Sequence, residues 1–359
     1  MNIKTEFNPK IKNIVLFQSD LLKWYHKNAR VLPWRSNPTP YRVWISEMML
    51  QQTRVDTVIP YFTRFMNELP DIPALAGVEE DKLLKLWQGL GYYNRALNLK
   101  KTAKILVEKY QGQLPSDVKT LMELPGIGPY SAGAIASIAF EKAVPAVDGN
   151  VLRIMARILA SREDMNQVKI KKQMQEFMLE VVPLNDPGAF NQAMMDLGAT
   201  ICLPNGEPKC EKCPVRKHCR AFELKLTSQI PIKVSKKRRG IEEKTVFVLS
   251  SGEKFALQKR KAGGLLPNLW EFPNTSGYLT EEQSRSVLED WGILVEEMLE
   301  LKPSKHIFSH IEWHMKGFFV TAANTDKSSS NFVWVTKEEI QHQYSIPTAF
   351  KDFIKYILK

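Results

Sequence analysis

The chain has 359 residues, with 50 Lys and Arg against 39 Asp and Glu, a formal net charge of +11, 44% hydrophobic and 25% charged residues. That length predicts two or three domains with a core large enough to need no disulfide staples, and the composition excludes a disordered chain. No apolar run approaches the roughly 18 residues of a membrane span, and the start MNIKTEFNPK lacks the charged-then-apolar pattern of an export signal, so the expectation is a soluble, intracellular, basic protein.

The charge is uneven. Residues 1–225 carry 31 basic and 23 acidic side chains, and residues 226–359 carry 19 and 16. A basic N-terminal part suits a polyanion, because each phosphate contact releases counterions, although a basic balance also serves plain solubility. In this part Tyr41, Trp44, Ile45, Met48, Val55 and Ile59 recur at three- and four-residue steps, predicting helix across 41–59. In LMELPGIGPYSAGAIASIAF (121–140) a short helix is expected to end near Leu124. Pro125, Gly126, Ile127 and Gly128 then form a hairpin, and Pro129 opens the next helix. Glycines there allow close backbone approach, and a helix start offers free N–H groups, which together suit a DNA phosphate. An ordinary helix–turn–helix contact is the plainer reading.

Asp148 stands in AVPAVDGNVLRI (143–154), just before a helical stretch in which Val151, Ile154, Met155, Ile158 and Leu159 share one face. Asp is a favoured N-cap, and it is also a carboxylate able to face a developing positive charge. The four cysteines, Cys202, Cys210, Cys213 and Cys219, all fall within one 18-residue window. Thiols this crowded point to one metal centre, either zinc or a four-iron cluster. Strand-like alternation is scarce before residue 226, so residues 1–225 are expected to be all-helical.

SQIPIKVSKKRRGIEEK marks a break read as a linker over 226–243, whose Lys236, Lys237, Arg238 and Arg239 also resemble a nuclear signal. Beyond it the texture is α+β. Strands are expected at 245–250, 254–260, 311–320 and 332–336, and helices near 280–291 and 347–358.

The order of glycine hairpin, Asp about twenty residues later and cysteine loop resembles the helix-hairpin-helix DNA glycosylase superfamily. Within it the chain is similar to the adenine DNA glycosylases, through LPWR (32–35), WISEMMLQQT (44–53), GLGYYNRA (89–96), the hairpin, VDGNV (147–151), FNQAMMDLGA (190–199) and the cysteines. The resemblance implies a multidomain fold: an all-α catalytic part over 1–225 (a six-helix barrel plus an iron–sulfur subdomain), then an α+β Nudix-like domain over 244–359. It implies excision of adenine paired with 8-oxoguanine or guanine, after the base leaves the stack, by a monomer acting on double-stranded DNA in a bacterial cytoplasm, at the nucleoid and not at a membrane.

By the same resemblance Glu47 is the acid that protonates adenine N7, Asp148 the ionised carboxylate, Tyr130 its hydrogen-bonding partner and Asn150 a further polar partner. Val43, Trp44 and Leu50 beside Glu47 favour a neutral carboxylic acid. Arg35 and Gln192 match positions contacting the flipped adenine. Gln52, Thr53, Leu90 and Tyr92 match residues that wedge into the gap or touch the opposing lesion, although Leu90 and Tyr92 also suit core packing. Gly126 and Gly128 carry the phosphate contact. The cysteines match a structural [4Fe-4S] cluster, although C-x7-C-x2-C-x5-C is one residue longer in its first interval than the family pattern. Lys209, Lys212, Arg216 and Lys217 surround the loop for phosphates. The absence of Lys between 120 and 141 argues against a strand-nicking lyase, since that reaction needs an amine nucleophile. In the C-terminal part RSVLEDWGI (285–293) is similar to a Nudix motif with Ser286 in place of a Glu and Gly277 where another is needed, so Mg²⁺-dependent nucleotide hydrolysis is not expected. KHIFSHIEW (305–313) matches the family's 8-oxoguanine-sensing loop, with Phe308, Ser309 and His310 as candidates.

Overall fold

The computed structural model describes residues 9–232, 238–323 and 332–358. Lys236 and Lys237 of the basic run fall outside these. The described chain divides into two compact units, residues 1–77 with 98–235, and residues 78–97 with 236–359.

The first unit contains no strand among its described residues. Its helices are α1 (Ile14–Asn28), α2 (Pro40–Leu50), α3 (Val55–Glu68) and α4 (Ile72–Gly77). After α5 (Glu80–Trp87), which belongs to the second unit, come α6 (Asn94–Tyr110), α7 (Val118–Met122) and α8 (Pro129–Phe140). They are followed by α9 (Gly149–Leu159), α10 (Val168–Val181), α11 (Pro187–Thr200) and α12 (Arg220–Glu223). One core joins Phe17 and Leu21 of α1 to Ile154 and Met155 of α9, Met174 of α10 and Phe190 of α11.

The expected helix over 41–59 is two helices. Gln52 takes a left-handed conformation (φ 57°), so the apolar period continues while the axis breaks at residues 51–54. Gln52 and Thr53 therefore lie in a turn. The small residues of α8 allow tight packing, as expected: a Cβ on Gly133 would stand 2.1 Å from the Pro145 carbonyl oxygen. This closeness seats the segment leading to Asp148 directly on α8. Asn191 of α11, 1% exposed, fastens the same segment by accepting from Ala146 N–H (3.0 Å) and donating to the Val144 carbonyl (2.9 Å).

The second unit is built on a seven-stranded sheet: β1 (Gly240–Ser251), β2 (Lys254–Lys259), β3 (Trp270–Glu271), β4 (Asn274–Ser276), β5 (Val295–Ile307), β6 (Ile311–Ala322) and β7 (Phe332–Thr336). The order is β3-β2-β1-β6-β5, with β4 on β1 and β7 on β2. β1 and β6 run parallel over the register Gly240↔Ile311 to Ser250↔Thr321. A parallel strand in mid-sheet is covered on both faces, and β1 accordingly buries every residue from Thr245 to Ser250. Val246 and Val248 face Phe350 and Phe353, while Phe247 and Leu249 face Leu288 of α13 (Glu281–Asp290). α14 (Lys337–His342) and the short α15 (Lys351–Ile354), preceded by a 3-10 turn at Thr348–Phe350, complete the unit. The helix expected near 347–358 is thus two short pieces, and the linker is shorter than expected: β1 starts at Gly240, and Ile230 is buried in the first unit.

Candidate active site

Glu47 sits on the third turn of α2, a helix started by Thr39 as N-cap and Pro40 at its first position. Its carboxyl is 4% exposed and lines a cavity of about 150 Å³. Leu32, Trp34, Val43, Leu50, Val55, Ile138 and Met195 supply apolar wall; Arg35, Thr53, Tyr130, Asp148, Asn150 and Gln192 are the expected residues that meet there. Burial pushes the Glu47 pKa up to about 7, opposed by the Tyr130 hydrogen bond and Arg35 and reinforced by the Asp148 charge. A carboxyl with that pKa holds a proton near neutrality and is able to give it up.

Tyr130, on the first turn of α8, makes a different bond from the expected one. Its hydroxyl donates to Glu47 Oε2 at 2.7 Å, with Met195 Sδ at 3.8 Å, and not to Asp148. The helix start points the ring at α2, whereas Asp148 is already engaged as the N-cap of α9. Asp148 Oδ1 accepts from Val151 N–H at 2.8 Å, and Oδ2 accepts from the Asn150 amide at 2.6 Å. Burial raises the Asp148 pKa above the usual carboxylate range, against the pull of those two donors and of Arg153. Asn150 Oδ1 in turn accepts from Arg153 (2.9 Å), which also donates to the Cys202 carbonyl (2.9 Å) and the Gly198 carbonyl (2.9 Å).

Gln192 lines the cavity from α11, its amide donating back to the Gly188 carbonyl at 3.3 Å. Arg35 is clamped by Asp196 of α11, a carboxylate the sequence reading passed over. At the hairpin, Gly126 (φ 81°) is needed twice: it takes a left-handed turn, and a Cβ there would meet Asn98 at 2.8 Å and Met48 at 3.1 Å. Gly128 faces open space, which leaves the start of α8 approachable.

The four cysteines line one apolar cavity with Arg157, Val215 and Phe222. Among the described residues no group of three or more His, Cys, Asp or Glu is placed to hold a single metal ion. Arg157 donates to Cys202 Sγ at 3.1 Å and to the Leu203 and Ile230 carbonyls, so the loop is tied to α9. Arg153 and Arg157 were legible only as two arginines one turn apart on an otherwise apolar helix. Around the loop Arg216 pairs with Glu211 and Lys217 with Asp20. Lys209 and Lys212 have no acidic partner among the described residues.

Leu90, Tyr92, Phe308, Ser309 and His310 lie in the second unit. Leu90 is buried (5% exposed), so it packs in the protein interior, while Tyr92 is 46% exposed with a left-handed backbone (φ 47°). Arg95 holds this loop by donating to the Leu90, Gly91 and Tyr92 carbonyls, between the Trp87 and Tyr92 rings. Phe308, Ser309 and His310 form the turn from β5 to β6. Phe308 packs on His306 and Trp313 and is half-buried; Ser309 and His310 are exposed. Tyr92 Oη and Ser309 Oγ lie 2.8 Å apart, so residues singled out some 217 positions apart meet.

Two family models match the chain: HhH-GPD superfamily base excision DNA repair protein over residues 45–180, and NUDIX domain over 245–356. It is 35% identical to an adenine DNA glycosylase of Buchnera aphidicola (subsp. Acyrthosiphon pisum), over 91% of this chain and 93% of that one. It is 33% identical to the Homo sapiens adenine DNA glycosylase, over 95% of this chain and 74% of the relative. Among solved structures a thermostable thymine-DNA glycosylase aligns at TM-score 0.54 and 29% identity, covering 59% of this chain and 97% of that one. An endonuclease III–DNA covalent intermediate aligns at TM-score 0.51 and 23% identity, over 59% of this chain and 97% of that one, a likeness of fold.

The Glu47 environment has a consequence for stability. With a native pKa near 7 against 4.5 for the ordinary group, the folded state binds more protons than the unfolded state between those values. Stability is therefore lost as pH rises through that window. Glu47→Gln removes the ionisation, so its melting temperature should gain on the wild type from pH 5 to pH 8, by roughly 5 °C at about 2–4 °C per kcal/mol. A gap that is constant with pH contradicts the burial of the charge.

Proposed function

The chain belongs to the adenine DNA glycosylase family and hydrolyses the N-glycosidic bond of adenine in DNA; from that premise we propose that its substrate is adenine paired with 8-oxoguanine or guanine, flipped into the Glu47 cavity. The observation that carries this reading is a buried, proton-holding carboxyl facing a second carboxylate that is held by its own helix start. In glycosidic cleavage one carboxyl protonates the leaving group and the other stabilises the cationic sugar. Here the Glu47 carboxyl gives its proton to adenine N7, so the electron pair of the breaking C1′–N9 bond passes into a positively charged ring, which leaves as neutral adenine. Asp148 faces the positive charge on the sugar, water adds at C1′, and the proton released by that water restores Glu47. Tyr130 fixes the Glu47 carboxyl, and Asn150 fixes Asp148. Arg35 and Gln192 read the adenine edge. No lysine stands in the hairpin to make a Schiff base, in keeping with a glycosylase that leaves the strand intact.

The DNA backbone is assigned to the Gly126–Gly128 hairpin and to Lys209 and Lys212. Tyr92, Gln52 and Thr53 fill the gap and approach the opposing base, with Leu90 supporting the wedge from beneath. Ser309, with His310 and Phe308, reads the lesion. 8-Oxoguanine carries N7–H where guanine has an acceptor, so a hydroxyl that accepts there favours the lesion by about 1–3 kcal/mol. We assign catalysis to the helical part that ends beyond Ile230 and lesion reading to the sheet part that begins with β1 at Gly240. The protein works as a monomer in the cytoplasm, at the nucleoid.

The cysteine loop fits a [4Fe-4S] cluster. Four thiols share one apolar cavity, and the Pro/Gly-rich stretch 203–209 absorbs the additional residue. When bound, the cluster supplies a rigid cross-link for the loop; Cys202, Cys210, Cys213 and Cys219 would hold it.

Two experiments test these assignments. Purified protein should be brown and contain about four irons per chain; a colourless protein with one zinc, made with iron available, contradicts the cluster. Single-turnover excision from duplexes with A opposite 8-oxoguanine, A opposite G, T opposite G and A opposite T should show A opposite 8-oxoguanine fastest and no excision of T. Ser309→Ala should narrow the 8-oxoguanine-over-guanine preference by about fivefold or more. Equal rates opposite 8-oxoguanine and T in the wild type would remove the mispair reading.

A further inference from the structure

Asp196 is the most completely enclosed carboxylate at the edge of the site. It lies on α11, 1% exposed, and five N–H groups from two arginines converge on its two oxygens. Arg35 places one terminal nitrogen on Oδ2 at 2.8 Å and the other on Oδ1 at 2.9 Å. Arg30 gives Nε to Oδ1 at 2.8 Å, its other guanidinium nitrogen to Oδ1 at 2.7 Å and its backbone N–H to Oδ2 at 3.1 Å. Both arginines and Glu47 are walls of one cavity. An Arg with both terminal nitrogens on a carboxylate is fixed in plane and in charge.

The alternative partner for Arg35 is the Glu47 carboxyl. Were Arg35 to swing onto it, the pair would favour ionised Glu47, and the proton needed for catalysis would be gone. The charged groups that face Glu47 are Asp148 at the start of α9, Arg35 from the segment before α2 and Arg30 on the cavity wall, beside the polar Tyr130, Ser46, Thr53, Asn150 and Gln192. Arg35 is the cation among them that lowers the Glu47 pKa. Asp196 itself is held ionised, because the Arg35 and Arg30 contacts outweigh its burial.

We infer that Asp196 is a positioning residue: it holds Arg35 in the adenine wall as a base-reading donor and keeps it from pairing with Glu47. This rests on the reading of Glu47 as the acid, and the experiment separates the two. In the full-length protein, single-turnover excision of A opposite 8-oxoguanine is measured from pH 5.5 to 9 for wild type, Asp196→Asn, Arg35→Lys and the double variant Asp196→Asn with Arg35→Gln. Asp196→Asn should slow excision at pH 7.5 about tenfold or more and move the alkaline fall in rate down by about one pH unit. Arg35→Lys keeps the charge but cannot span both Asp196 oxygens, so it should move the same limb in the same direction by less. The double variant, lacking the guanidinium, should bring the limb back to the wild-type pH or above it.

If Asp196→Asn fails to fold, Arg35→Lys decides the matter: an unmoved limb overturns the proposal. A rate lowered equally at every pH in either variant assigns Asp196 a purely structural role and also overturns it. A wild type with no alkaline limb near neutrality would instead count against Glu47 as the acid.

Discussion

The site depends on the removal of one carboxyl from water. Glu47 is closed in by Trp34, Val43 and Leu50, and its carboxyl accepts a hydrogen bond from the Tyr130 hydroxyl. Ionising it there costs more than in solvent, so the group keeps its proton to about pH 7. Three helices are arranged around that constraint. α2 supplies the carboxyl, α8 begins at Pro129 so that Tyr130 reaches it, and α11 brings Gln192 to the same cavity and Asp196 to the Arg35 that lines it. The small residues of α8 serve this directly, since Gly133 is what lets the segment before Asp148 lie on the helix.

The second carboxylate is governed from the other side. Asp148 is tied through Asn150 and Arg153 to the carbonyl of Cys202, and one helical turn later Arg157 reaches the Cys202 sulfur. Buried arginines are costly without hydrogen bonding, and these two find partners on the Cys202 and Leu203 carbonyls of the cysteine loop, on Asn150, and on the Gly198 and Ile230 carbonyls beside it. The order of that loop and the position of Asp148 are therefore coupled through α9.

Local signals were legible in the sequence, and tertiary partners were not. Asp148 as an N-cap, the turn at Gly126, the crowding of the cysteines and the neutral surroundings of Glu47 all follow from spacing and residue type. The break at Gln52 was hidden because apolar residues keep their helical period across it. β5 was missed because it is an edge strand with most residues exposed, so no alternation of apolar and polar positions marks it. The resemblance implies Asp148 as the partner of Tyr130, whereas the Tyr130 hydroxyl donates to Glu47, because the orientation of α8 is not written in local spacing. Leu90 was read as both wedge and core; its burial shows it as core in the free protein. Asp196, Arg30 and Arg95 gave no signal beyond being charged residues in largely apolar stretches.

The central claim is that a carboxyl held protonated by burial drives base release, and the pH dependence of the chemical step tests it most directly. Single-turnover excision by the wild type, followed from pH 5.5 to 9 under saturating enzyme, should fall as pH rises above about 7, close to tenfold per unit. A rate that stays level, or rises, between pH 7 and 9 would show that Glu47 is not the proton donor and would contradict the account.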